Sequence, residues 1–291
     1  GVLYAASAYA LWGLLPVYWK WLRHTPSSQV LCHRIIWSFL TLLFVILLMR
    51  QWDGLRRDIF SARVLRAYIG AGALIGVNWL IYIWAVGAGF IIETSLGYFI
   101  NPLLSVLMGV VILHERLRPG QWAAIALAAA GVLYLSFVYG ALPWIALSLA
   151  VTFSLYGLFK KIAPLGSLNG LTLETGVLLL PAFVFLAYSG HTGQGSFLRT
   201  GALTDVLLIG TGIITTVPLL LFSSAARRIE LSLLGVLQYI APTIQFLIGL
   251  LVYHEPFTRD RFIGFCIVWS ALAVYAAEGY LSRRSQGFPA T

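Results

Sequence analysis

Charge is what this sequence has least of. Of its 291 residues, 19 are Lys or Arg and 10 are Asp or Glu, so 10% of the chain is charged, against about 25% in a soluble domain. So few charges cannot cover the surface of a soluble enzyme of this length, and one or two cores could not bury all of its apolar side chains. Cysteine is almost as scarce. Cys32 and Cys266 both lie in apolar runs, which argues against a disulfide framework or a cysteine-based metal site. The GxxxxGK[ST] phosphate loop is absent, which disfavours an ATP-driven pump. His114-Glu115 and His254-Glu255 lack the second histidine four residues on that an HExxH zinc helix needs. No metal or cofactor is expected. What is abundant is apolar: 60% of the residues are hydrophobic, and most of the chain must face lipid. The net charge of +9 would suggest nucleic acid in a polar protein; here the basic residues are scattered between apolar runs and form no basic face.

Crossing the hydrocarbon layer takes about 20 apolar residues in a helix. Ten stretches qualify: 2 to 20, 29 to 49, 67 to 87, 92 to 113, 120 to 138, 141 to 159, 170 to 189, 203 to 225, 231 to 253 and 262 to 281. The first lacks a charged leading region and a small-residue cleavage site and contains Trp12, Pro16 and Lys20, so it reads as a retained span rather than a signal peptide. The start at Gly1 without a methionine predicts a short preceding segment. With the N-terminus cytoplasmic, 13 of the 19 basic residues fall in inside loops and the tail, among them Arg56, Arg116, Lys160, Arg227 and Arg283. The positive-inside rule therefore predicts that both termini are cytoplasmic.

The chain also resembles itself. A shift of 140 residues aligns Pro102, Leu107, Gly109, His114 and Glu115 with Pro242, Leu247, Gly249, His254 and Glu255, and a shift of 144 aligns Trp12-Gly13-Leu14 with Tyr156-Gly157-Leu158. Each unit then holds five spans: residues 1–140 form the first repeat and 141–291 the second. Because five is odd, the second copy must enter the membrane inverted, the plan of many secondary transporters. Two hairpins that merely share loop chemistry would give a similar match. Pro102 and Pro242 occupy equivalent places, and a paired kink there is either a hinge or a static packing feature.

Ionisable groups inside spans are costly and are candidates for function. Arg34, preceded by His33, lies near the outer end of the second span. Glu174 lies equally far from the inner end of the seventh, opposite Arg34 in the repeat. One reading gives a central cavity that holds a zwitterionic or amphipathic solute, or a carboxylate whose protonation couples to transport; the other has both side chains reaching for the headgroups or the backbone. Glu93 opens the fourth span, where a carboxylate suits a helix N-terminus. Lys20 closes the first span among Tyr18, Trp19 and Trp21 as an interfacial anchor, or else takes part in gating. His114-Glu115 and His254-Glu255 read as ties between loops and helix ends. Asn78 and Tyr82 lie one turn apart beside Trp79; Tyr98 and Asn101 follow in the fourth span, Thr216 in the eighth, and Gln238 and Tyr239 in the ninth. Such groups either face an organic solute or bond helix to helix.

At these segments the chain resembles the RarD family of EamA-type transporters in the drug/metabolite transporter superfamily. The likeness rests on Leu11-Trp12-Gly13, His33-Arg34-Ile35-Ile36-Trp37-Ser38, Asn78-Trp79, Ser95-Leu96-Gly97-Tyr98-Phe99-Ile100-Asn101-Pro102, Gln121-Trp122, Glu174-Thr175, Thr216-Val217-Pro218-Leu219 and Gln238-Tyr239-Ile240. It implies an all-α integral membrane protein of ten helices in two inverted five-helix repeats, placed in the bacterial inner membrane and exporting a small organic solute. It also carries roles in the site to Lys20, Arg34, Asn78, Glu93, Asn101, Glu174 and Gln238. The expected partners are that solute, the bilayer and possible coupling protons, with no nucleic acid. An uptake carrier of the same fold is the alternative, and an intramembrane enzyme using His33 or Glu174 lacks any nucleophile-base pair at recognisable spacing.

Overall fold

A computed structural model describes residues 1–50, 52, 56, 61–88, 90–139, 144–253 and 259–285; the side chains at 63, 86, 87, 91–93, 95, 139, 246, 261, 265, 280 and 282–285 lie outside the description. Among the described residues there are eleven helices and no strand: α1 Val2–Trp21, α2 Ser27–Leu48, α3 Ala62–Gly87, α4 Ile91–Val111, α5 Pro119–Tyr139, α6 Trp144–Ile162, α7 Ser167–His191, α8 Ala202–Ala226, α9 Leu231–Leu237, α10 Ile240–Leu251 and α11 Arg259–Ser285. Helix is the form these runs must take, because hydrocarbon offers no partners for backbone N–H and C=O groups. With α9 and α10 counted as one crossing, the ten expected spans are present, most with ends shifted by a few residues. The third begins five residues earlier than its apolar run suggests, at Ala62, and the tenth extends to Ser285.

Hydrogen bonds between loops define two ends of the bundle. At the N-terminal end, Lys161 Nζ donates to the Ile229 carbonyl at 2.5 Å and the Arg227 guanidinium donates to the carbonyls of Ala163 and Leu165. At the far end, Gln29 Nε2 donates to the Gln194 carbonyl at 2.7 Å and its Oε1 accepts from the Ser196 amide at 2.8 Å.

Exchanging the first five crossings for the last five carries the most extensive helix contacts onto one another. α1 against α8 has its counterpart in α6 against α3, α2 against α8 in α7 against α3, and α4 against α6 in α10 against α1. Three pairs are their own counterparts: α2 with α7, α5 with α11, and α4 with α9. Phe99 and Tyr239, 140 residues apart, meet in the third of these regions with ring centroids 6.5 Å apart, and the Tyr239 hydroxyl donates to the Phe99 carbonyl at 3.1 Å.

The ninth crossing is broken where the sequence predicts one continuous span. Between α9 and α10 the amides of Gln238 and Tyr239 reach back only three residues, to Gly235 and Val236, a tight turn of the kind that marks hinges within helices. Pro242 then falls in the first turn of α10, where its missing N–H has no helical partner to lose. Its counterpart Pro102 lies inside α4, which runs on to Val111. The two prolines are therefore equivalent in sequence and different in effect.

Candidate functional site

Four helical stripes converge near mid-depth. Tyr9, Trp12, Pro16 and Trp19 of α1 recur every three or four residues, as do Gln238, Ala241 and Gln245 around the broken crossing; Asn78 and Trp79 with Tyr82 of α3, and Thr94, Gly97 and Tyr98 with Asn101 of α4, follow the i, i+3, i+4 pattern of one helical face. With Arg34, Phe153 and Leu219 they line a cavity of about 160 Å³. These positions lie in the middle and far-end half of the bundle.

Arg34 gives the cavity its charge. Its Cζ lies 5.0 Å from the ring centroid of Trp19 and 4.6 Å from that of Trp79, so the guanidinium is held between two indoles. Its Nε donates to Thr215 Oγ1 of α8 at 3.1 Å. Among the described residues no carboxylate pairs with it. α2 and α8 can bring these groups together because they touch through backbone: a Cβ at Gly212 would sit 2.5 Å from the Trp37 carbonyl, and Ser38 Oγ donates to the Gly212 carbonyl at 3.3 Å. The neighbouring amides are partly engaged. Asn78 Nδ2 donates to the Leu149 carbonyl at 2.9 Å and to Thr152 Oγ1 at 2.8 Å, while Asn101 Oδ1 accepts from Ser154 Oγ at 2.7 Å. The rings of Tyr82 and Tyr98 meet edge to face at 6.2 Å.

Of the residues expected from sequence, Arg34, Asn78, Trp79, Tyr82, Tyr98, Asn101 and Gln238 line this cavity; His33, Thr216, Tyr239, Glu174, Lys20, Pro102 and Pro242 do not. His33 turns to the far-end loop, with its ring 5.0 Å from that of Phe197. Thr216 is buried beside the wall; it is the preceding Thr215 that reaches Arg34, since adjacent residues on a helix point about 100° apart. Tyr239 is tied to Phe99 at the contact between α4 and α9. Glu174, fully buried, accepts from Lys160 Nζ at 2.6 Å and from the Tyr156 hydroxyl at 3.0 Å. Its helix starts at the other end of the bundle: α2 begins beside the Gln29–Gln194 contact at the far end, and α7 follows the Ala163–Leu165 loop at the N-terminal end. Arg34 and Glu174 are each the eighth residue of their helix, so they sit at opposite depths, one toward each end. Lys20 Nζ lies 3.3 Å above the Tyr253 ring, outside the cavity. The Glu93 side chain and the His254-Glu255 pair are outside the described residues. Tyr9, Trp12, Trp19 and Phe153 were not among the candidates; for the three on α1 the stripe spacing was the available signal.

The N-terminal end of the cavity is closed. Phe222 packs against Trp12 and Phe153, each with centroids 5.5 Å away, and stacks on Tyr156 at 6.1 Å. The Tyr9 hydroxyl donates to the Leu234 carbonyl at 3.1 Å. Nearer the end, Glu115 accepts from the amides of Leu231 at 2.6 Å and Ser232 at 2.9 Å, capping α9, with Lys161 at 3.8 Å. This is the loop-to-helix tie that the His114-Glu115 motif suggested.

The molecule is thus a multi-pass α-helical membrane protein built around a central cavity with one cation. The family model for the EamA-like transporter family matches residues 1–137 and again 142–276. Over 279 residues, 94% of this chain and 93% of the other, it is 46% identical to an uncharacterized transporter, YojE, of Bacillus subtilis. It is 43% identical to protein RarD of Streptomyces exfoliatus, with 98% and 90% covered, and 39% identical to protein RarD of Escherichia coli, with 98% and 96% covered. A solved crystal structure 19% identical superposes with a TM-score of 0.67 over 94% of this chain and 95% of that one, which shows the fold. The chain belongs to the EamA-like transporter family and, within it, groups with the RarD proteins of the drug/metabolite transporters.

Proposed function

We propose that this chain is a secondary transporter that exports a small organic solute across the bacterial inner membrane by alternating access, with Arg34 at the centre of its binding site. The observation that carries this reading is the cavity itself: a cation clamped by Trp19, Trp79 and Thr215, hollow toward the far end and closed at the N-terminal end by Phe222, Tyr9 and the Glu115 cap. A buried charge in a transporter span ordinarily marks the solute or ion path. The two repeats, 1–140 and 141–291, then act as inverted halves, a reading supported by the self-mapping of the helix packing. On this reading both termini are cytoplasmic and the structure is outward-facing. About 160 Å³ is below the roughly 300–1,000 Å³ of pockets that take drug-sized ligands, which favours a solute of amino-acid size. Purified protein in liposomes loaded with a panel of labelled metabolites tests the proposal: at least one solute is expected to leave faster than from loaded liposomes without protein, and Arg34→Ala to abolish that flux without loss of folded protein. Unchanged flux in the variant would remove Arg34 from the site.

A further inference from the structure

We infer that the solute of this cavity is an organic monocarboxylate with a compact apolar body and no ammonium group; the inference rests on the reading of the cavity as the binding site. Arg34 is the charged side chain of the wall, and among the described residues the wall contains no carboxylate; the Glu93 side chain lies outside the description. The buried carboxylate that sequence reasoning paired with it, Glu174, is instead matched by Lys160 and Tyr156, one on each oxygen. Among the described residues the cavity therefore carries one positive charge without a carboxylate partner, in surroundings of low dielectric, where an opposite charge on the ligand gains most and a second cation gains nothing. An ammonium would find only neutral acceptors, such as the carbonyls of Asn78 and Gln238. The indole faces best placed to receive it, those of Trp19 and Trp79, already hold the guanidinium. Donors suit an anion better: Asn101 gives its carbonyl oxygen to Ser154 and so keeps its N–H groups for the cavity. With Nε fixed on Thr215, the remaining guanidinium N–H groups can take a carboxylate in the planar, two-pronged manner that Arg favours. The aromatic stripe of α1 and Phe153 would enclose the rest of the molecule.

Four probes that share one ring separate the possibilities: 3-phenylpropanoate, phenylalanine, 2-phenylethylamine and 3-phenylpropanol. Binding to detergent-purified protein is read by thermal stabilisation and by the change in indole fluorescence expected when Trp19 and Trp79 are covered. The propanoate is expected to bind at least about tenfold more tightly than phenylalanine or the alcohol, with no binding of the amine; tenfold corresponds to about 1.4 kcal/mol. Arg34→Gln should abolish binding of the propanoate, and Arg34→Lys should retain the charge preference with weaker affinity. Circular dichroism and gel filtration of both variants establish that they are folded. Phenylalanine binding as tightly as the propanoate, through Arg34, would overturn the charge rule and leave the transporter reading standing. Propanoate binding that survives Arg34→Gln would overturn both. Failure of all four probes to bind would overturn the monocarboxylate assignment, while flux of any other solute lost in Arg34→Ala would still support transport.

Discussion

Replacing Glu174 by Gln leaves the Lys160 ammonium buried without its counter-charge. Removing one partner of a buried pair typically costs about 3–5 kcal/mol, so Glu174→Gln is expected to lower the unfolding temperature in detergent sharply, and Lys160→Met added to it to recover much of the loss. If Glu174 instead carries a coupling proton, Glu174→Gln should remain stable and lose only the response of flux to a pH gradient. Thr215 belongs to a different bookkeeping, since it touches Arg34 and not the solute. Thr215→Val keeps the shape and removes the acceptor, leaving Arg34 Nε unsatisfied at a cost of roughly 1–3 kcal/mol. Solute affinity is expected to fall by about tenfold or more, to be restored in Thr215→Ser, and to do so with little change in maximal flux.

Among the elements, α2 and α8 show how a bundle fixes its site by close approach. A methyl at Gly212 would meet the Trp37 carbonyl, which is backbone and cannot swing aside. Gly212→Ala is therefore expected to separate Arg34 from Thr215, destabilising the fold by about 1–3 kcal/mol and weakening solute binding, measured by thermal unfolding and the same fluorescence change. At the other end α9 is a short segment with its N-terminus capped by Glu115 and its C-terminus at the Gln238–Tyr239 turn. Glu115→Ala should cost about 1 kcal/mol, as a lost cap does, and should raise the labelling rate of a cysteine placed at Leu234 by a soluble maleimide. The spans themselves were legible because lipid leaves the backbone no choice, and the cavity walls were legible in part because aromatic and amide residues keep helical spacing on α3 and α4. Trp19 was hidden by its surroundings: in Tyr18-Trp19-Lys20-Trp21 an interfacial belt and a cavity wall look alike. The Lys160 partner of Glu174 was hidden because a basic residue near a span end reads as an orienting charge. The break before Pro242 could not be told from the unbroken helix at Pro102, since it depends on how α9 is held from outside.

For the whole molecule, the excess of Lys and Arg on one set of loops predicts that a cysteine at the exposed Gln194 is labelled from outside intact cells and one at Gly166 is not; the reverse pattern would turn the protein over in the membrane. The arrangement of Arg34 in a wall whose described residues include no carboxylate has a further consequence, electrical in kind. A carrier whose empty site holds one positive charge and whose loaded site holds an anion is charged on only one limb of its cycle. Moving one full charge through the membrane field is worth about 2.3 kcal/mol per 100 mV. A negative cell interior would draw the empty site inward, to where solute is collected, and leave the loaded site indifferent. In liposomes clamped with potassium and valinomycin, an inside-negative voltage is then expected to speed export when the return of the empty carrier limits turnover, and to leave one-for-one exchange of solute unchanged.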